Sequence, residues 1–158
     1  DSLNRLQAHL ARNDPDRYAI VHIIGQADPA LTEALKTLRL PHRAHGRIRD
    51  HARLAGILAL CDVLLTCSTE DNWPNVLVEA GSYGVAPVVG PGHGCEEFAR
   101  LYDTGTIAAA YTPEAFGRAL ADLVARLPDA AARAAAAARI RADHDPATLA
   151  AAFLRLAA

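Results

Sequence analysis

The chain has 158 residues, 51% of them hydrophobic and 22% charged, which excludes a disordered polymer and permits one domain with a sizeable core. A formal net charge of −2 gives no global electrostatic field that favours nucleic acid, so we expect no nucleic-acid partner. Three cysteines are too few for a disulfide framework, and no apolar run reaches the roughly 18 residues of a transmembrane helix. These features predict a cytoplasmic protein.

Short β-rich runs alternate with longer helical runs along the chain. The expected strands cover residues 18–25, 43–46, 62–67, 86–90 and 105–111. The expected helices cover residues 2–12, 27–40, a run after Asp50, 75–84, 95–102, a run after Thr112, 129–142 and 146–157. Asp28 and Thr112 are the expected caps before Pro29 and Pro113, which suit the first turn of a helix. The helix after Thr112 has one apolar stripe, formed by Phe116, Leu120, Leu123 and Leu127.

Strands that alternate with helices are typical of βαβ units, which form a parallel sheet with helices on both faces. We therefore predict an α/β fold, a Rossmann-like three-layer sandwich in a single domain over residues 1–158. Ligands of such sheets bind beyond the carboxyl ends of the strands. The loops after residues 25, 46, 67, 90 and 110 are the expected places for the chemistry.

The loop and helix over residues 68–84 form the most informative segment. Asn72 can cap this helix, and Pro74 suits its first turn. The amides near Asn75 and Val76 would then point out of the helix N-terminus, where the helix dipole favours a phosphate. The pattern predicts an anion site at the start of the helix.

Three carboxylates accompany this anion site. Glu79 lies on the second turn of the helix, where it can hold the vicinal hydroxyls of a ribose. Glu70 and Asp71 lie in the loop, where either can hold the hydroxyls of a second sugar. The same residues allow a second interpretation, in which all three are solvated surface acids, and both interpretations remain open on this pattern alone.

The spacing of these residues matches a family pattern. Ser68 is followed by Asp71, by seven further residues and by the pair Glu79-Ala80, after which GVAPVV covers residues 84–89. Further matches are HGCEE at residues 93–97, TGTI at residues 104–107, and upstream Gly25 and Gly46-Arg47-Ile48. Residues 61–105 resemble the donor-binding half of the family 4 glycosyltransferases, which have the GT-B fold, and the resemblance extends over about residues 18–127.

The resemblance implies the C-terminal half of a GT-B fold in a retaining glycosyltransferase. Such an enzyme transfers a sugar from a nucleoside diphosphate, here UDP or GDP, to an acceptor hydroxyl. It implies Asp71 and Glu79 as the catalytic residues, with no metal and no cofactor, and backbone near Arg47 and Ile48 in contact with the base. The implied donor-binding residues are Gly25, Arg47, Ile48, Ser68, Glu70, Asn72, Asn75, Val76 and Glu79.

The chain departs from the family pattern in two respects. Asp71 takes a place that glutamate usually holds, and Glu70 beside it is a candidate to compensate for the shorter side chain. The family's first strand, the Arg and Lys that clamp its diphosphate, and its N-terminal acceptor domain find no counterpart here. The chain also lacks an initiator Met, so we interpret it as a fragment that binds donor at best and has an open slot in its sheet. The resemblance leaves peripheral membrane association of the full enzyme open.

Residues 39–53 hold five arginines, three histidines and one aspartate. They form either a solvated mixed face or a positive lip for an anionic donor, with Arg47 or Arg49 nearest. His42, His45 and His51 have no Cys or carboxylate partner at ligand spacing, which argues against a metal site.

The GPGHG sequence at residues 90–94 has the wrong spacing for a dinucleotide fingerprint. Its glycines suit a close approach of backbone to a bound sugar instead. Cys61 and Cys67 flank a predicted buried strand, so we expect both in the core.

Two other functions remain open at this point. One is half of a sugar-nucleotide epimerase with a similar two-half build. The other is a non-catalytic α/β regulatory module that binds no donor.

Overall fold

Helices and strands alternate along the chain as the sequence predicts. The structure, a computed structural model, describes residues 19–26 and 29–156. Its strands are β1 (Val21–Ile24), β2 (His42–Gly46), β3 (Val63–Leu65), β4 (Ala86–Val89) and β5 (Thr106–Ile107). Its helices are α1 (Pro29–Lys36), α2 (His51–Leu58), α3 (Asn75–Gly81), α4 (His93–Leu101), α5 (Pro113–Ala125), α6 (Ala130–Asp143) and α7 (Pro146–Leu156). The helix expected over residues 2–12 and the expected cap Asp28 lie outside the described residues.

All described strands pair in parallel, but they form two sheets. β1 pairs with β2, while β4 lies between β3 and β5, with Leu65 opposite Val88 and Val89 opposite Ile107. Among the described residues, no strand pairs with the second edge of β1 or of β3. The parallel α/β fold is thus confirmed, and the described strands form two sheets, β1-β2 and β3-β4-β5.

The core is centred on β4, the one strand whose residues are all buried. Successive strand residues point to opposite faces. Val88 packs with Phe116 of α5, and Val89 packs with Phe98 of α4 and Ile140 of α6. Helices therefore cover β4 on both sides, which is the three-layer arrangement that the sequence predicts.

The flanking strands are less buried than their apolar sequences predict. The residues of β3 are all half-buried, and Ile24 at the end of β1 is 39% exposed. Both strands have one edge without a neighbouring strand, so their side chains lack part of their lateral cover. Cys67, expected in the core, is exposed because it follows β3 beyond the carboxyl edge, and Cys61 is half-buried.

Two of the predicted helix starts are confirmed by their hydrogen bonds. The Asp50 carboxylate accepts from the Ala52 amide at 2.9 Å, and the Thr112 hydroxyl accepts from the Ala115 amide at 3.2 Å. Pro113 follows Thr112 as the first residue of α5. In both cases a short polar side chain satisfies an amide that has no partner inside the helix.

A pair of histidines joins the two strands of the smaller sheet. His22 Nδ1 and His45 Nε2 lie 2.9 Å apart, and the two rings are stacked at 8°. Such a hydrogen bond needs one imidazole nitrogen that donates and one that accepts, so at least one ring is neutral. Burial lowers the pKa of His45, and the charges of His22, Arg53 and Arg43 lower it further.

We expect this pair to make the chain less stable in mild acid. Because the folded-state pKa of His45 lies below its unfolded value of about 6.5, its contribution is complete above that pH and is lost as the pH falls through the lowered pKa. Urea unfolding of the wild type between pH 5 and 8 should show this loss, and His45→Gln should flatten the acid side. His42→Gln is the control, since its ring contacts the Leu40 carbonyl instead. Identical pH profiles for wild type and His45→Gln would contradict the expectation.

Candidate functional site

The loop over residues 68–74, hereafter the acidic loop, leaves the sheet at the carboxyl edge of β3. Tyr111, which follows β5, donates from its hydroxyl to the Ser68 carbonyl at 3.0 Å. The Tyr111 ring lies against Gly90 so closely that a Cβ there would be 2.2 Å from the ring. One tyrosine thus joins the loops that follow β3, β4 and β5. The loop after residue 110 is one of the places where chemistry is expected, but no local sequence pattern indicates the role of Tyr111.

Gly94 of α4 holds the acidic loop from a second side. Its amide donates to the Asp71 carbonyl at 3.0 Å, and a Cβ at this position would lie 1.9 Å from the Asn72 carbonyl oxygen. Gly90 and Gly94 are therefore needed for contact between protein segments. The approach of these glycines to a sugar, which the sequence predicts, stays a prediction.

The Asp71 side chain is positioned by its own loop. Its Oδ1 accepts from the Trp73 amide at 3.2 Å, which closes a local turn. The Cys95 thiol is buried, which raises its pKa, and the negative charge of Asp71 raises the pKa further. Asp71 itself is half-buried, whereas the neighbouring Glu70 is exposed.

Helix α3 begins two residues later than a cap at Asn72 would require. Pro74 occupies the N-cap position with an extended backbone and no side-chain hydrogen bond, so the interpretation of Asn72 as the cap is wrong. Proline cannot donate from its own nitrogen, and the turn formed by Asp71 and Trp73 has already fixed the approach of the chain. The amides of Asn75 and Val76 lie in the first turn, where N–H groups have no partner inside a helix.

Glu79 faces a cavity of about 430 Å³ between α2, α3 and the turn that joins α6 to α7. Its side chain is exposed. Asp71 does not line this cavity, so the grouping of the two carboxylates around one donor stays a prediction. The lining residues are His51, Leu54, Ala55, Leu58, Val78, Glu79, Ser82, Tyr83, Arg141, His144, Asp145 and Pro146.

A second cavity, of about 550 Å³, lies at the start of α4. Gly92 and His93 line it together with Glu96, Glu97, Arg100 and Leu101. The Glu96 carboxylate accepts from the Gly92 amide and pairs with Arg100 at 2.7 Å, and both interactions hold the pKa of Glu96 below its usual value. Gly92 is thus the glycine of this segment that borders open space.

The expected base-binding residues lie at the carboxyl edge of the smaller sheet. Gly25 and Gly46 end β1 and β2 with positive φ values of 113° and 66°, and the Gly25 amide donates to the Gly46 carbonyl at 3.0 Å. Arg47 is exposed and Ile48 is half-buried directly after β2. None of these residues lines either cavity, so their grouping with Asp71 and Glu79 stays a prediction.

Among the described residues, no group of three or more His, Cys, Asp and Glu side chains could hold a metal ion. No described helix is both long and apolar enough to span a bilayer.

Comparison with known proteins gives a family match over most of the chain. The model of the family described as "Glycosyl transferases group 1" matches residues 5–141. No curated protein matches the chain.

Three solved structures share the fold. WaaG, a glycosyltransferase involved in lipopolysaccharide biosynthesis, gives a TM-score of 0.64 at 20% identity over 92% of this chain and 37% of its own. HepE of Anabaena, in complex with UDP and glucose, gives 0.57 at 22% identity over 88% and 38%. AviGT4, a glycosyltransferase involved in avilamycin A biosynthesis, gives 0.53 at 19% identity over 89% and 43%. The chain thus spans about two fifths of the length of these proteins.

Proposed function

The chain belongs to the group 1 glycosyl transferases, and from this we propose that it is the donor-binding domain of a retaining enzyme that transfers a sugar from a nucleoside diphosphate to an acceptor hydroxyl. The family match favours this function over an epimerase half or a regulatory module. We propose no metal and no cofactor besides the donor substrate.

The observation that carries the proposal is the fixed position of the acidic loop. Gly94 and Tyr111 hold it at the carboxyl ends of three parallel strands, where open α/β sheets bind nucleotides. A rigid loop can present Asp71 to a ligand without loss of further conformational entropy. HepE, whose structure contains UDP and glucose, shares this fold and supports a donor of that class.

We assign each group a role that follows from its chemistry. The first-turn amides of α3, near Asn75 and Val76, would hold the diphosphate, whose negative charge grows as the bond to the sugar breaks. Glu79 would hold the ribose hydroxyls from the adjoining cavity. Asp71, eight residues earlier, would hold the transferred sugar.

We further propose that transfer needs a second domain. The chain spans only about two fifths of each solved structure that shares its fold, which supports a further domain in the whole enzyme. The residues that bind an acceptor would then come from outside the donor-binding domain. The 158-residue chain should show no turnover with UDP-glucose or a GDP-sugar, and turnover by this chain alone would refute this part of the proposal.

The test of the ribose contact is Glu79→Gln in the two-domain enzyme. Because a charged hydrogen bond to the ribose becomes a neutral one, donor binding should weaken by about 1–3 kcal/mol. Calorimetric titration with UDP-glucose and with GDP-mannose measures the change and identifies the preferred base. Glu33→Gln, an exposed carboxylate that pairs with Lys36 on α1, is the matched control and should bind normally. Equal affinities for Glu79→Gln and wild type would remove Glu79 from the site.

A further inference from the structure

His144 lies in the turn between α6 and α7 and reaches two separate parts of the candidate site. Its Nε2 lies 3.2 Å from the indole nitrogen of Trp73, and the two rings stack at 21° with centroids 5.9 Å apart. The same imidazole lines the cavity that Glu79 faces. Trp73 and His144 are 71 residues apart, so no local sequence pattern indicates the contact.

The partners of His144 determine its protonation state. The indole N–H can only donate, so Nε2 must accept. Nδ1 lies 2.9 Å from the Ile140 carbonyl, which can only accept, so Nδ1 must carry the proton. Both contacts therefore exist together only in the neutral Nδ1–H tautomer. A second proton would place N–H against N–H and would break the contact with Trp73.

Trp73 transmits this contact to the catalytic side chain. Its amide donates to Asp71 Oδ1, and its ring packs edge-on against the buried Phe98 at 5.9 Å. Release of the indole would therefore free the backbone turn that orients the Asp71 carboxylate.

We propose that His144 is a positioning residue of the donor site, which in its neutral form holds Trp73 and thereby fixes the acidic loop that carries Asp71. The inference rests on the proposed function for the identity of the ligand, but the contact itself does not. It also predicts that the acidic loop loosens when His144 gains a second proton, because the protonated ring cannot accept from the indole.

Several charged or titratable groups lie around His144. Glu79, Asp145, Arg141 and His51 line the same cavity as its ring. Tyr83 lines the same cavity, and the Tyr102 hydroxyl lies 3.4 Å from Nδ1. Buried Tyr102 is protonated at neutral pH, since burial and the charge of Asp143 raise its pKa.

The experiment uses two substitutions with opposite expected outcomes. In His144→Gln, the side-chain oxygen can take the place of Nε2 and accept from the indole, but it does not titrate. In His144→Leu, the acceptor is lost while bulk is kept. His42→Gln, at the amino end of β2 and away from the carboxyl edge, is the matched control.

The first readout needs no ligand. Trp73 is the only tryptophan of the chain, so the indole N–H resonance and the emission both belong to the residue that contacts His144. In wild type and His42→Gln both signals should change between pH 8 and 5. At every pH in this range, His144→Gln should show the indole signals that the wild type shows at pH 8. His144→Leu should show at every pH the indole signals that the wild type shows at pH 5. Amide exchange at Trp73 and Gly94 should be about 3- to 10-fold faster in His144→Leu, the loss expected for one hydrogen bond.

The second readout is the affinity for UDP-glucose in the two-domain enzyme. Compared with the wild type at pH 8, this affinity should be about 3- to 10-fold lower in His144→Leu at pH 8 and in the wild type at pH 5. In His144→Gln it should not fall at either pH. An indole signal that ignores pH in the wild type, or unchanged amide exchange in His144→Leu, would overturn the role of His144. Absence of UDP-glucose binding in the wild type would instead count against the proposed function, because the ligand-free signals decide the contact with Trp73 separately.

Discussion

Gly94→Ala is expected to lower the free energy of unfolding by about 1–3 kcal/mol, the usual cost of forcing extra volume into a packed site. The new Cβ would lie 1.9 Å from the Asn72 carbonyl oxygen and 2.3 Å from its carbon. Backbone atoms cannot rotate away as the end of a side chain can, so the acidic loop or the start of α4 has to move. A displacement of about 1 Å at a catalytic group can cost about 100-fold in rate, which is the loss we expect in the two-domain enzyme.

The control for this substitution is Gly56→Ala on α2. A Cβ at Gly56 meets no atom within 4 Å, and α2 is an ordinary helix there. Alanine exceeds glycine in helix propensity by up to about 1 kcal/mol, so this variant should be as stable as the wild type or more so. Urea unfolding measures both variants. A Gly94→Ala protein with wild-type stability and wild-type turnover would show that the acidic loop is not held in place by this contact.

Features that depend on neighbouring residues could be predicted from the sequence. The caps Asp50 and Thr112 act on amides two or three residues away, so a short pattern contains the whole interaction. The stripe of α5 faces the core because helical spacing puts Phe116, Leu120 and Leu123 on one side, and all three are buried. The same holds for the parallel pairing, which follows from the alternation of strands and helices.

The contacts that fix the candidate site join distant residues, and the sequence did not reveal them. Tyr111 and Ser68 are 43 residues apart, and Trp73 and His144 are 71 apart. Asn72 fits the composition of a helix cap, but Gly94 packs on its backbone and the helix starts after Pro74. A local propensity was overridden by a tertiary contact at that point.

Asp71→Asn is expected to separate the role of the Asp71 charge from its role in the loop. Asparagine keeps an oxygen that can accept from the Trp73 amide, so the local turn and the contact with Gly94 should persist. The substitution removes the negative charge with little change of shape. Any loss of binding can therefore be assigned to contacts between the carboxylate and the ligand.

If Asp71 holds the transferred sugar, this loss depends on whether the ligand contains one. Asp71→Asn in the two-domain enzyme should bind UDP-glucose about 1–3 kcal/mol more weakly than the wild type, since a charged hydrogen bond to a sugar hydroxyl becomes a neutral one. Affinity for UDP should stay nearly unchanged, because the diphosphate contacts lie at the start of α3. Glu70→Gln is the matched comparison. A similar selective loss there would show that Glu70 compensates for the short side chain of Asp71, whereas normal binding would leave the contact to Asp71 alone.

The titrations are repeated with EDTA, and unchanged affinities are expected for a site that binds its donor without metal. Equal losses for UDP and UDP-glucose in Asp71→Asn would show that Asp71 does not touch the sugar, and loss of wild-type binding on chelation would overturn the metal-free site.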